Sequence, residues 1–315
     1  MFSKKFNFVL AASLMLAACG GNSFSSMADK NSSAAKKEDA QIAVNGGNYD
    51  AAIGLMAEKC PNKTCTTKSD TQLYAAAYMG KAGLDVLTVA KNADSSKNNT
   101  SSSSSDFAVI SKGIPSPTAA NLDDIASAIT ILKNSQGAMG LSKPSFAAKS
   151  VSVTYTSEQK DFLLQLGISQ ATATILAVGS QLGGFDDAGL PNDCELVAGK
   201  RDCSTAASQN AIATALNAVY VAPTSYADFA AASLIDGSAN LLKAFSGDNS
   251  TAGAINNMAS SIQYHTHGNS DTCNWKVVSS HSATPDYEVL NTDAAPYVPS
   301  FDGARLISYL QTCLK

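Results

Sequence analysis

The side chains able to do metal or covalent chemistry are few and grouped. The histidines are His265, His267 and His281. Neutral imidazoles from a His-x-His pair and a third histidine, converging on one point, would make an open three-nitrogen zinc site of the hydrolase kind. The same residues also read as polar members of an exposed loop, because Thr266-His267-Gly268-Asn269 has turn composition. Asp186, Asp187 and Asp193 lie in a glycine-containing stretch of the sort that supplies calcium ligands. Their spacing is not that of an Asp-x-Asp-x-Asp-Gly loop, so an acidic turn is expected. No Gly-x-Ser-x-Gly elbow, Walker loop or His-Glu-x-x-His occurs. The sequence therefore predicts no catalytic residue, no metal ligand and no cofactor.

Seven cysteines remain to be assigned. The first lies in a distinctive setting. Lys4 and Lys5 precede an apolar run from Phe8 to Leu16 broken by Ser13, and Leu16-Ala17-Ala18-Cys19-Gly20 follows. A positive start, a short apolar stretch and small residues before a cut are the parts of a secretory signal. The run is shorter than the roughly 20 residues of a membrane-spanning helix. The segment resembles the lipobox of bacterial lipoproteins. That resemblance implies a diacylglyceryl thioether on Cys19, cleavage before it, and a membrane held through acyl chains at about 0.8 kcal/mol per buried CH₂. Gly20 stands where an aspartate would retain such a protein in the inner membrane. The implied location is the outer membrane, on its periplasmic side or at the cell surface.

Setting Cys19 aside from the seven cysteines leaves six: Cys60, Cys65, Cys194, Cys203, Cys273 and Cys313. An even number suits an oxidising compartment, although the count alone leaves their connectivity open. Proximity favours Cys60–Cys65 and Cys194–Cys203, leaving Cys273–Cys313. No Cys-x-x-Cys is present, so structural disulfides are expected rather than redox or metal chemistry.

The whole chain carries 22 basic and 26 acidic residues, and removing Lys4 and Lys5 leaves 20 against 26, a net charge of −6. This mild acidity offers no broad footprint for nucleic acid. Hydrophobic periodicity then places the elements. Residues 19–44 are small and polar and read as a flexible tether. A helix opens at Asn48-Tyr49-Asp50-Ala51-Ala52-Ile53 and stops near Pro61. A second runs from Ser69 to Asn92, with small residues on its early apolar face that suit a tight hairpin.

Gly47-Asn48-Tyr49-Asp50-Ala51-Ala52-Ile53, with Pro61 and Asn62 downstream, resembles the second helix of a tetratricopeptide repeat. Leu73-Tyr74-Ala75-Ala76-Ala77-Tyr78 through Gly83 resembles the first helix of the next. The proline comes early for that pattern, and no third repeat follows Asn92. The resemblance implies a helix-pair scaffold of a kind used to bind proteins.

A Ser-rich linker occupies 94–106, and a helical domain is expected over 107–315. Within it, Asn121 is the expected cap of a helix carrying Leu122, Ile125, Ile129 and Leu132. Thr156 and Gln159 fit a capping box for a helix from Ser157 to Leu182. That helix has no charge from Phe162 to Phe185. Gln165, Gln170 and Thr174 mark it as a buried central helix rather than a membrane span. Gly183-Gly184 ends it, and a disulfide-clipped loop, Asp186 to Cys203, follows. Ala-rich helices are expected from Ser204 to Gln263. Trp275, Pro285, Pro296 and Pro299 mark irregular structure before a final helix with Leu306, Tyr309, Leu310 and Cys313.

The fold class expected is thus all-α: a repeat-like hairpin over 45–93, then an irregular helical domain with a disulfide-tied C-terminal segment. The function expected is that of a non-catalytic, lipid-anchored helical scaffold with an envelope protein partner and no nucleic acid. The alternatives are a small-molecule carrier serving an envelope transporter and a zinc-dependent hydrolase using the histidines.

Overall fold

The computed structural model describes residues 32–84, 117–141, 155–186, 190–221 and 224–244, together with 303, 306 and 307. The fold is mostly helical: α1 (Ser33–Asn45), α2 (Tyr49–Lys59), α3 (Lys68–Lys81), α4 (Ala119–Asn134), α5 (Ser157–Gln181), α6 (Ala206–Leu216) and α7 (Tyr226–Ala244). Two antiparallel hairpins flank α6, β1 (Glu195–Val197) with β2 (Lys200–Asp202), and β3 (Val219–Val221) with β4 (Thr224–Ser225).

The long helices pack neighbour on neighbour, each antiparallel to the one before. The start of α1 meets the end of α2, where Lys36 pairs with Glu58 and Lys59 Nζ donates to the Ser33 carbonyl at 3.2 Å. At the other end Lys81 of α3 lies 2.9 Å from Asp50 of α2. Asn121 Nδ2 of α4 donates to the Ala82 carbonyl at 2.8 Å, while Asn134, at the other end of α4, donates to the carbonyls of Asn62 and Lys63. Gln159 of α5 donates to the Met139 carbonyl just beyond α4. Along α5 and α7, Thr174 Oγ1 donates to the Ala230 carbonyl and Asn240 Nδ2 to Gln170 Oε1. Thus α2, α4 and α7 begin at one end of the array, and α1, α3 and α5 at the other.

The central member is α5. Thr156 and Gln159 form the expected capping box, satisfying two N-terminal donors reciprocally. Gly183 and Gly184, at φ +65° and +86°, turn the chain away after Gln181. The helix is long and apolar enough to span a membrane, yet 78% of its apolar window is buried inside the protein. Phe162, Leu166, Leu176 and Val178 are fully covered, mainly by α4 and α7. Its closest crossing is with α7. A Cβ on Gly237 would lie 3.0 Å from Gln170 Cβ and 3.2 Å from the Gly167 carbonyl, so the absence of a side chain sets the separation.

Several expectations are corrected. The end of the predicted tether is α1. Ser32 caps it through the Ala35 amide, and packing of Ala40 and two lysine pairs against α2 and α3 supply what its composition lacks. The second helix ends at Lys81 rather than Asn92, because Gly83 adopts φ +77° and Leu84 N closes onto the Met79 carbonyl. Residues 85–92 lie outside the described residues. The cap of α4 is Thr118, whose hydroxyl accepts from Asn121 N at 3.2 Å. The expected disulfide-clipped loop is closed by Cys194–Cys203 and contains the β1–β2 hairpin. The Ser-rich 94–106 linker and the segment around Trp275 fall outside the described residues. Of the final helix, Gly303, Leu306 and Ile307 are described as helical, the last two buried.

The α5–α7 crossing yields a prediction. Gly237→Val places bulk against backbone rather than flexible side-chain ends, and overpacking of this kind costs about 2 kcal/mol. Urea denaturation followed by circular dichroism should show that loss; an unchanged midpoint would show that the helices separate freely.

Candidate functional site

The reactive residues singled out from sequence meet different fates. Cys60–Cys65 and Cys194–Cys203 are bonded, with Cα–Cα distances of 4.5 and 4.9 Å. Cys19, Cys273, Cys313, His265, His267, His281 and Asp187 lie outside the described residues. Asp186 accepts from Leu190 N at 2.9 Å and faces Arg201 Nε at 3.7 Å. Its carboxylate thus closes a turn. Among the described residues no group of three or more His, Cys, Asp or Glu side chains is placed to hold a metal.

The Cys60–Cys65 loop joins the first three helices to the rest of the array. Asn62 and Lys63 both have positive φ, 52° and 56°, a conformation costly for lysine. Docking onto α4 holds it: Lys63 Nζ donates to Ser127 Oγ at 2.8 Å, and Cys65 N donates to Ser135 Oγ.

Among the described residues one carboxylate is buried. Asp70, in the first turn of α3, is 3% exposed, with Lys59 Nζ of α2 at 3.2 Å and Lys37 Nζ of α1 at 3.5 Å from Oδ1. Burial pushes its carboxyl up, but the Thr67 hydroxyl, Lys59 and Lys37 together outweigh this and hold it below the usual carboxylate range. Three helices contribute to this contact, and its effect is to bind α1 to the α2–α3 pair.

The opposite end of the array has another character. Helices starting there carry Asp50 and Asp228 in their first turns, where the helix dipole favours negative charge, and Asp123 and Asp124 in the second turn of α4. The last turns of those same helices carry Lys59, Lys133 and Lys243 at the other end. Burial pushes the Asp124 carboxyl up, against the pull of Lys81. Tyr220 donates to Asp123 at 2.8 Å, and its ring sits 5.0 Å from those of Tyr226 and Phe229. Burial, then that hydrogen bond, raises its phenol far above the ordinary value.

The two hairpins sit at this acidic end. Asn192, ahead of β1, donates to the Gly183 carbonyl just past α5, and Arg201 donates to the carbonyls of Asn192 and Cys194. Ser208 at the start of α6 accepts from Glu195 N and donates to the Asp202 carbonyl. Tyr220 anchors β3 beside the start of α4. Both ends of α6 are therefore held at this end of the array. Leu196, Val197, Val219 and Val221 are large apolar side chains left exposed there. Sequence reasoning missed them. The available signal was Leu196-Val197-Ala198-Gly199, a short apolar run ending in a turn glycine between two cysteines. The hairpins thus present aliphatic side chains at the same end as Asp50, Asp123 and Asp228.

Asp70 carries a pH prediction. Its folded-state value is depressed, so its stabilisation is present above the unfolded value of about 3.9 and is lost as pH falls through the folded value. At neutral pH Asp70→Asn should cost about 1–3 kcal/mol. The gap from the parent should close in acid, as read from urea midpoints between about pH 7 and pH 2. A gap that stays constant with pH would show that the charge is not what binds α1. No family model matches the chain, and no significant match is found among curated proteins or solved structures.

Proposed function

We propose that this chain is a non-catalytic helical scaffold, tethered to the outer membrane through lipid on Cys19, that holds an envelope protein. The observation that carries the reading is the neighbour-on-neighbour antiparallel stacking of α1 to α5 and α7. Helical scaffolds of stacked units use this arrangement to build extended binding surfaces. The tetratricopeptide-like segment falls on α2 and α3, and α1 packs ahead of them. The close approach of Tyr49 to Gly80 is in keeping with small residues permitting tight helix pairing. Ser32 lies near Cys19 in sequence, and residues 20–31 reach at most about 45 Å when extended, so anchoring would keep the array close to the bilayer.

Labelling cells with radioactive palmitate tests the anchor. The parent chain should take up label and sediment with membranes, whereas Cys19→Ala should do neither. A Cys19→Ala chain that is still processed and membrane-bound would overturn the lipid reading. For the scaffold, mild cross-linking in intact cells should join the chain to a specific envelope protein; a chain recovered only uncross-linked would count against it.

A further inference from the structure

We propose that the acidic end of the helix array docks a protein whose contact surface is an apolar patch with a basic surround. This rests on the scaffold reading and names the face and partner chemistry for it. Four aliphatic side chains stand out in solvent there: Leu196 at 67%, Val197 at 48%, Val219 at 62% and Val221 at 60% exposure. Val219 and Val221, two apart on one strand, share a face, while Tyr220 between them turns inward onto Tyr226 and Phe229. The two hairpins are separated by α6, about 16 Å long, a spacing within the dimensions of a single standard interface; Leu196 and Val197, consecutive on β1, point to opposite faces of their hairpin.

The elements that present these side chains are fixed before any partner arrives. Cys194–Cys203 closes the first hairpin, Arg201 and Ser208 clamp its two strands, and Ala198 and Gly199 turn it with φ of +50° and +78°. The second is held by Tyr220 on Asp123 and by Tyr226 N on the Ala218 carbonyl. Pre-organisation of this kind lowers the entropy lost on binding.

Charge complementarity decides the class of partner. Asp50, Asp123, Asp228 and Glu195 are all exposed and all at this end. Of the described cations at this end, Lys81 is engaged by Asp50 and Asp124, Arg201 faces Asp186, and Lys200 is exposed on β2 opposite Val197; the described carboxylates there outnumber them. A surface with aliphatic centres and a negative surround repels acidic headgroups and acidic proteins, and attracts a surface of lysine or arginine around apolar side chains.

The test uses the purified full-length chain and three labelled synthetic peptides followed by fluorescence anisotropy: alternating Leu and Lys, alternating Leu and Glu, and alternating Ser and Lys. The Leu/Lys peptide should bind and the other two should not. Leu196→Ser with Val221→Ser should weaken binding about tenfold. Glu195→Lys should also weaken it, and Glu158→Lys, at the opposite end, should leave it unchanged. Raising salt from about 0.1 M to about 1 M, which shortens the screening length from about 10 to about 3 Å, should weaken it further. The changed residues are exposed, and circular dichroism confirms that each variant is folded.

Failure of the Leu/Lys peptide to bind, or equal binding of the Leu/Glu peptide, overturns the proposal. So does a dimer in sedimentation that Val221→Ser dissolves, which would make a second copy the occupant. Binding that survives both serine substitutions overturns it as well. Because the assay needs no lipid, a failed peptide experiment beside a successful Cys19 experiment refutes the docking face alone. The reverse outcome refutes the anchor alone.

Discussion

A helix with no charged side chain from Phe162 to Gln181 cannot stand in water, and the covering of α5 is the constraint on which the rest of the molecule depends. Two long neighbours, α4 and α7, close over it from different sides. Its polar residues do not escape burial; they are matched. Thr174 reaches the Ala230 carbonyl, Ser169 returns to the Gln165 carbonyl, and Gln170 joins Asn240 and Asp236. Unmatched, each would cost about 1–3 kcal/mol, so the same contacts that satisfy them also fix the register of α7.

From this centre the array grows outward by pairwise steps. The α4 helix presents Leu122, Ile125, Ile129 and Leu132 along its buried side, and the first three helices dock through the Cys60–Cys65 loop and α3. At the margin, α1 has only Ala40 fully buried, with Ala43 and Val44 partly buried against the core, and Lys37 adds a pair to the buried carboxylate of Asp70. Apolar burial dominates at α5, whereas α1 buries little and adds a lysine pair to a buried carboxylate. The acid sensitivity assigned to Asp70 belongs to the edge of the array for that reason.

Antiparallel stacking also explains the charge distribution. An acidic residue near a helix start and a lysine near its end each relieve the dipole of their own helix. Helices starting at one end place Asp50 and Asp228 there and Lys59, Lys133 and Lys243 at the other, whereas the intervening helices place Asp70 and Glu158 at that other end and Lys81 at the first. The hairpins around α6 then set aliphatic side chains among the acidic ones. The candidate docking face is a product of topology, assembled from residues distant in the chain.

Local signals were legible in the amino-acid sequence wherever neighbours along the chain supply the physics. The capping box at Thr156 and Gln159, the stop at Gly183-Gly184, the short-range disulfides Cys60–Cys65 and Cys194–Cys203, and the uncharged central helix all follow from residues close together in sequence. Where partners are remote, sequence reading failed or was silent. The α1 helix looked like tether because its stabilising contacts come from Glu58 and Asp70, and the end of α3 was misplaced because apolar spacing continues past the glycine that turns the chain. The exposed Val219 and Val221 look like ordinary core residues in sequence, since burial depends on what else arrives at the same place. By itself the sequence determined the helical character, the local caps and clips, and the chemistry each side chain offers. Only the tertiary structure decided which of those groups share one end of the array, because that depends on helix direction and packing rather than on spacing along the chain.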